Sequence, residues 1–130
     1  PDVVADYRDL PFDVESFDLI CWDPPHITTN RGMKQLSGYI KQKYGALHAE
    51  TWQTDIRCAF QELWRVLRPG GTLTFKFASN SIDFDCVLDE LPRDPMYGTT
   101  TNKKNGYETR WFTFYKARNQ DESGCGGGDE

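Results

Sequence analysis

The apolar pattern of this chain changes period several times, and each change marks an element. Val3-Val4-Ala5 is a short apolar run ending at Asp6, and Phe17-Asp18-Leu19-Ile20-Cys21-Trp22 is a second, stopped by Pro24-Pro25. The first predicts a short buried-type strand and the second another strand. Over residues 50–67 the apolar positions Trp52, Ile56, Phe60, Leu63 and Leu67 recur at steps of three and four. That spacing puts them on one stripe of a helix. Arg65 and Arg68 fall at the helix end, where cations suit the dipole. Pro69-Gly70-Gly71 then predicts a stop and a turn into a third strand, Thr72–Phe77.

Residues 81–91 predict a short helix capped by Ser81, with Phe84, Val87, Leu88 and Leu91 inward. Residues 96–101 and 107–116 predict a hairpin around Asn102-Lys103-Lys104-Asn105-Gly106, whose Asn-Gly pair is a strong turn signal. Trp111, Thr113 and Tyr115 would face one way, and Phe112 and Phe114 the other. The polar stretch 26–48, with Gly32, Gly38 and Gly45, is long for a connection. Such loops are usually lids or binding segments, and a short helix over 36–44 fits inside it. From residue 119 to 130 the tail is Gly-rich and acidic, which predicts disorder. Strands alternating with helices predict an α/β domain over residues 1–118, its sheet mainly parallel with a carboxyl-terminal antiparallel hairpin. Ligands of such sheets sit at the carboxyl ends of the strands. Asp6, Asp23 and the residues after Phe77 fall at that edge.

Composition narrows the class. The length of 130 residues suits one small domain, and 14% aromatic residues argue against disorder. No apolar run approaches the roughly 20 residues of a membrane-spanning helix, and a membrane partner is not expected. Cys21, Cys58, Cys86 and Cys125 have no close pairing, so neither a zinc site nor a disulfide framework is suggested. Scattered single thiols predict a reducing cytoplasm. The net charge of -5 argues against nucleic acid, but its distribution does not. Residues 1–23 hold seven acids and one base, whereas residues 24–49 hold four bases and no acid. Residues 99–118 hold five bases against Glu108. Two basic flanks could bind a polyanion locally or could be ordinary solvated loops.

Asp23-Pro24-Pro25-His26 carries the clearest chemistry. An exocyclic amine on a base is a poor nucleophile because its lone pair is delocalised into the ring. A carboxylate and a backbone carbonyl can both accept hydrogen bonds from that NH2 group. Together they favour a more tetrahedral nitrogen with its lone pair aimed at an electrophile. Two successive prolines have no N–H and hold the chain in a fixed extended bend, leaving the Pro24 carbonyl to face a ligand. A flat neighbour, here His26, can stack on the base, which must first leave its duplex. Lys76, mid-strand, either snorkels or points at this site. Gly70-Gly71 precedes a strand rather than opening a helix, so it reads as a turn and not a phosphate loop.

Here the chain resembles a known family. Asp23-Pro24-Pro25-His26 is similar to the Asp-Pro-Pro-aromatic signature of the amino-methylating DNA methyltransferases, with His where an aromatic ring is usual. Residues 4–12, Val-Ala-Asp-Tyr-Arg-Asp-Leu-Pro-Phe, resemble the acidic strand end and loop that contact the cofactor adenine in class I methyltransferases. Ser16–Ile20 resembles the strand leading into their catalytic loop, and residues 62–73 resemble their helix, Pro-Gly-Gly turn and fifth strand. The likeness runs in order over residues 3–116 and is nearest to small phage and bacterial members with Asp-Pro-Pro-His.

The resemblance implies a Rossmann-like class I sheet without its first strand and Gly-rich loop, hence an amino-terminally incomplete catalytic domain. It implies S-adenosyl-L-methionine as cofactor and no metal. It also implies methyl transfer to N6 of adenine or N4 of cytosine in DNA. Asp23, Pro24, Pro25 and His26 would be catalytic, and Asp6, Tyr7 and Asp23 would hold the cofactor. Arg31, Lys34, Tyr39, Lys41 and Lys43 would form a substrate-facing lid. Two other readings stay open: a non-catalytic remnant or binding module, and methylation of an amine outside DNA.

Overall fold

A computed structural model describes residues 3–25, 28–29, 47–104 and 107–118 of the chain. The elements, in chain order, are β1 (Phe17–Trp22), β2 (Thr28–Thr29), β3 (Leu47–His48), α1 (Trp52–Val66), β4 (Leu67–Ala78), α2 (Phe84–Asp89), β5 (Tyr97–Lys104) and β6 (Tyr107–Tyr115). The main sheet has the order β1-β4-β6-β5, and β2 and β3 form a separate parallel pair. No described helix is long and apolar enough to cross a membrane.

α1 forms where the apolar stripe predicts it. Trp52, Ile56, Ala59, Phe60, Leu63 and Val66 are its buried residues. Each large side chain so buried contributes about 1.5–3 kcal/mol. The helix stops at Val66 because Leu67 is already extended, at φ -83° and ψ 132°. Arg68 precedes a proline, which biases it away from helical geometry as well. Lys116 Nζ donates to the Trp64 and Leu67 carbonyls at 2.7 and 2.8 Å, and the Glu15 and Ser16 N–H groups donate to the Arg65 and Val66 carbonyls, so the acceptors of the last turn are closed from two sides.

The strand after the helix is longer than residues 72–77. β4 begins at Leu67 and carries Pro69-Gly70-Gly71 as an irregularity rather than as a separate turn. Phe17 pairs with Leu67 but Leu19 pairs with Thr72, so residues 68–71 bulge out of the ladder. Gly70 has φ +86°, a left-handed conformation that favours glycine. A Cβ on Gly71 would come within 2.8 Å of both the Arg68 and Asp18 carbonyl oxygens. The bulge therefore needs both glycines.

Three sequence expectations are corrected. Val3-Val4-Ala5 forms no strand: Val4 is 88% exposed. Its alternation-free apolar run had no described neighbour to pair with, and the chain instead turns at once through an Asp6–Asp9 bridge. Consequently the sheet is mixed rather than mainly parallel. β1 and β4 are parallel, while the β4–β6 and β6–β5 junctions are antiparallel. Ser81 does not cap α2. Asp83 occupies that position, without a side-chain cap bond, and the Ser81 hydroxyl accepts from the Thr28 backbone N–H at 3.1 Å. The expected hairpin is present as β5 and β6, but β5 runs on to Lys104, pairing Lys103 and Lys104 that were expected in the turn with Glu108 and Tyr107. The expected helix over 36–44, the Asn105-Gly106 turn and the tail 119–130 lie outside the described residues.

The register sorts the sheet into two faces. Ile20 and Trp22 align with Leu73 and Phe75, and these with Phe114 and Phe112. That face is covered by α1 and α2 in one aromatic-rich core, in which Trp22 stacks on Phe75 and Phe60 meets Phe114 edge to face. Leu19, Thr72, Thr74, Lys76, Thr113 and Trp111 take the other face. Among the described residues no helix packs there.

Candidate active site

β1 and β4 run parallel, so their carboxyl ends share one edge of the sheet, and Asp23 leaves β1 at that edge. Its carboxylate is 61% exposed. Among the described residues its polar contact is the Lys76 ammonium at 3.8 Å, too long for a hydrogen bond. The acceptor positions of Asp23 are thus open to an incoming N–H donor. Pro24 is buried and Pro25 half-buried, so the bend after β1 is wedged against the fold. Lys76 also lies 5.5 Å from the Trp111 ring centre. Asp23, Lys76 and Trp111 therefore line one surface on the open face.

Asp6 presents a different carboxylate. Its Oδ1 accepts from the Arg8 backbone N–H and from Arg8 Nε, both at 2.9 Å, and its Oδ2 accepts from the Arg8 terminal nitrogen at 2.6 Å. The Arg8 guanidinium holds the Asp6 carboxyl down at about 2, and Asp6 and Asp55 together raise Arg8 further. Arg8 also donates to Asp55 on the first turn of α1, at 2.9 Å. The next residues follow the same helix: Leu10 N–H donates to Glu62, and Arg65 donates to the Leu10 carbonyl. Arg65 in turn lowers the Glu62 carboxyl by hydrogen bonding. Tyr7 is half-buried, packs edge-on against Trp22, and has its phenol pushed up by burial and then by Asp55. Loop 6–16 is thereby clamped along α1.

Of the sequence-derived site residues, Asp23, Pro24 and Pro25 lie at the strand edge, with Tyr7 packed beneath them on Trp22. Asp6 faces Arg8. His26, Arg31, Lys34, Tyr39, Lys41 and Lys43 lie outside the described residues. Lys76 joins Asp23, which mid-strand position alone left open. Trp111 was read only as one face of a hairpin. The signal for both was strand register: Cys21 opposite Thr74 in the parallel pair carries Asp23 toward Lys76, and the antiparallel pair sets Lys76 opposite Trp111.

No protein-family model matches the chain, and no curated protein matches its sequence. Solved structures match its fold. A Pyrococcus horikoshii OT3 protein, PH0226, has a TM-score of 0.55 at 13% identity, over 88% of this chain and 58% of its own. A candidate DNA modification methylase from Thermus thermophilus, solved with S-adenosyl-L-methionine, has a TM-score of 0.58 at 18% identity. That match covers 88% of this chain and 54% of the methylase. The chain thus spans a little over half the length of the solved structures it matches. At these identities the likeness establishes the fold alone: the mixed sheet and its helices have counterparts in both structures.

Proposed function

We propose that this chain carries the amine-orienting part of an S-adenosyl-L-methionine-dependent methyltransferase acting on an exocyclic amine of a nucleobase, N6 of adenine or N4 of cytosine in DNA. One observation carries the reading: Asp23 sits at the carboxyl end of β1 with its oxygens unclaimed by hydrogen bonds, followed by two prolines that cannot donate. Asp23 would accept one N–H of the target amine and the Pro24 carbonyl the other, pyramidalising the nitrogen. His26 would stack on the base. Arg31, Lys34, Lys41 and Lys43 would meet phosphates, and Tyr39 would stack. What the chain supplies is alignment, the main requirement of a direct displacement.

The cofactor, when bound, supplies an electrophilic methyl group on sulfur. Asp6 as placed does not fit the cofactor adenine, because Arg8 already fills both carboxylate oxygens. An amine reaching Asp6 would compete with Arg8 for its oxygens. The Gly-rich loop expected at the amino-acid end has no counterpart in this sequence. No step is therefore assigned to Asp6 or to Tyr7.

Tritiated methyl transfer to DNA tests the reading, with Asp23→Ala beside the wild type. Turnover should vanish while binding of S-adenosylhomocysteine stays within about twofold, because the lost contact belongs to the transition state. Near wild-type transfer by a folded Asp23→Ala protein overturns the role. The occupied Asp6 favours a second reading, a binding module that keeps the sheet without cofactor affinity. A wild-type chain that binds DNA but not S-adenosylhomocysteine by calorimetry would establish that reading.

A further inference from the structure

Lys76 is the group at the strand edge to which the proposed transfer gives no task. Register sets it in a row across the open face of the sheet. Trp22 pairs with Phe75, so Asp23 comes level with Lys76, and Lys76 pairs with Trp111. The next row, Cys21, Thr74 and Thr113, brings no second ion pair. A lysine stem on a half-buried surface can lay its head in several directions. Here the head is held from two sides. Nζ lies 5.5 Å from the centre of the half-buried Trp111 ring, within reach of a cation–π attraction. It lies 3.8 Å from Asp23 Oδ2, an ion pair without a hydrogen bond. The Lys76 side chain keeps 39% of its surface exposed, and among the described residues no acceptor takes its N–H donors.

These groups define what can lie against them. Asp23 offers an acceptor and Lys76 a donor, side by side and with no net charge. A phosphate or carboxylate meets Asp23, and an alkylamine, an ammonium ion at neutral pH, meets Lys76. Each is opposed by a like charge. A neutral amine whose carbon also bears an acceptor atom fits both partners at once. Adenine and cytosine have that edge, with N6 beside N1 and N4 beside N3. Watson–Crick pairing uses the same ring nitrogen, so the edge is free only in an unpaired or flipped base.

We propose that Lys76 is a specificity-determining residue, donating from Nζ to the ring nitrogen beside the target amine while Asp23 accepts from the amine itself. That nitrogen is N1 of adenine or N3 of cytosine. Trp111, beneath the ammonium, is its positioning residue. The amine rests on the transfer reading, whereas its neighbour rests on the Asp23–Lys76–Trp111 row. A donor at the ring nitrogen draws the amine lone pair into the ring, so Lys76 does not speed the displacement. It chooses and places the base, and Asp23 with the Pro24 carbonyl makes the nitrogen nucleophilic.

The test measures, by fluorescence anisotropy, binding of a single-stranded thymine oligonucleotide carrying one adenine or one cytosine. Beside it run the same strands carrying 1-deazaadenine or 3-deazacytosine, and an all-thymine strand, which has no exocyclic amine. The wild type should bind the adenine or cytosine strand roughly tenfold more tightly than its deaza counterpart, the scale of a hydrogen bond to a charged group. 7-Deazaadenine, altered away from this edge, should bind like adenine, so the wild type alone already decides. Lys76→Met should lose the margin, Lys76→Arg should keep it, and Trp111→Leu should shrink it. In methyl transfer, Lys76→Met should raise KM without lowering kcat, which a merely structural loss would not do. Equal binding of parent and deaza strands by the wild type, or an undiminished margin in Lys76→Met, overturns the assignment. So does the lack of any preference over the all-thymine strand. Capture of a glutamine peptide, whose carboxamide has the same edge, in place of the oligonucleotide overturns it too. The transfer reading fails separately: a deaza margin in a chain that transfers no methyl sinks the transfer alone. Methyl transfer with equal KM for parent and deaza strands removes the role of Lys76 alone.

Discussion

The two faces of the main sheet use the same side-chain types to different ends. Leu73 and Leu19 lie on adjacent strands, one residue out of register, yet Leu73 is fully buried and Leu19 is 62% exposed. On the covered face, Phe114 meets Phe60 of α1 and Phe112 meets Phe84 of α2, while Phe75 packs on Phe77 and Phe112 within the sheet. The open face carries Leu19, Tyr97 and Tyr115 beside Thr72, Thr74 and Lys76. Stability is concentrated on one face, and the candidate chemistry, Asp23 with Lys76 and Trp111, lies on the other. An apolar edge strand with an exposed leucine marks a surface suited to further contacts.

Substitution can break this contrast. Leu73→Ala should cost about 2–5 kcal/mol, measured by chemical denaturation, since it leaves a cavity under α1. Leu19→Ala should cost under about 0.5 kcal/mol, as for ordinary surface positions. A comparable loss at both positions would show that the open face is covered in solution. Between these extremes, Gly71→Ala should cost about 1–3 kcal/mol, because its Cβ meets two backbone oxygens and a Leu67 methyl. A neutral result would show that the bulge joining the faces can relax.

A smaller effect separates the two carboxylates. The Asp6 carboxyl is lowered from 3.8 to about 2 by Arg8. Its contribution is present above its unfolded value and lost as pH falls through about 2. The pair is 45% exposed on each side, so the effect should stay below about 1 kcal/mol. Thermal melting between pH 5 and 2 should fall more steeply for the wild type than for Asp6→Asn. Parallel curves would show that Arg8 does not hold Asp6 in solution, which would reopen Asp6 to a ligand.

Local periodicity made much of this fold legible. The α1 stripe, the β1 run and the β5–β6 hairpin each repeat with a period that one face of one element dictates. Val3–Ala5 shows the limit: an apolar run has strand character only beside a partner, and sequence does not say who the neighbour is. The bulge at 68–71 was hidden for a related reason, since a Pro-Gly-Gly turn and a Pro-Gly-Gly bulge read alike until register is known. At the site, Asp23-Pro24-Pro25 was visible because its members are contiguous. Lys76 and Trp111 were not, because each gains its neighbours from strand pairing across 30 or more residues. Asp6 was placed by local chemistry that the pattern did contain. An aspartate two residues before an arginine can turn back on its own side chain.

Lys116 sets an order of events. One of the groups that close the carboxyl end of α1 arrives 50 positions after Val66, on the far side of the hairpin. As the chain is made, the Glu15 and Ser16 N–H groups that cap the Arg65 and Val66 carbonyls are present before α1, whereas the donor to the Trp64 and Leu67 carbonyls follows only after β6. The hairpin therefore acts as a late clasp that locks an early helix. Such a long-range contact slows the final step of folding relative to the helix it secures. A chain released before residue 116 would keep the helix but lose the clasp.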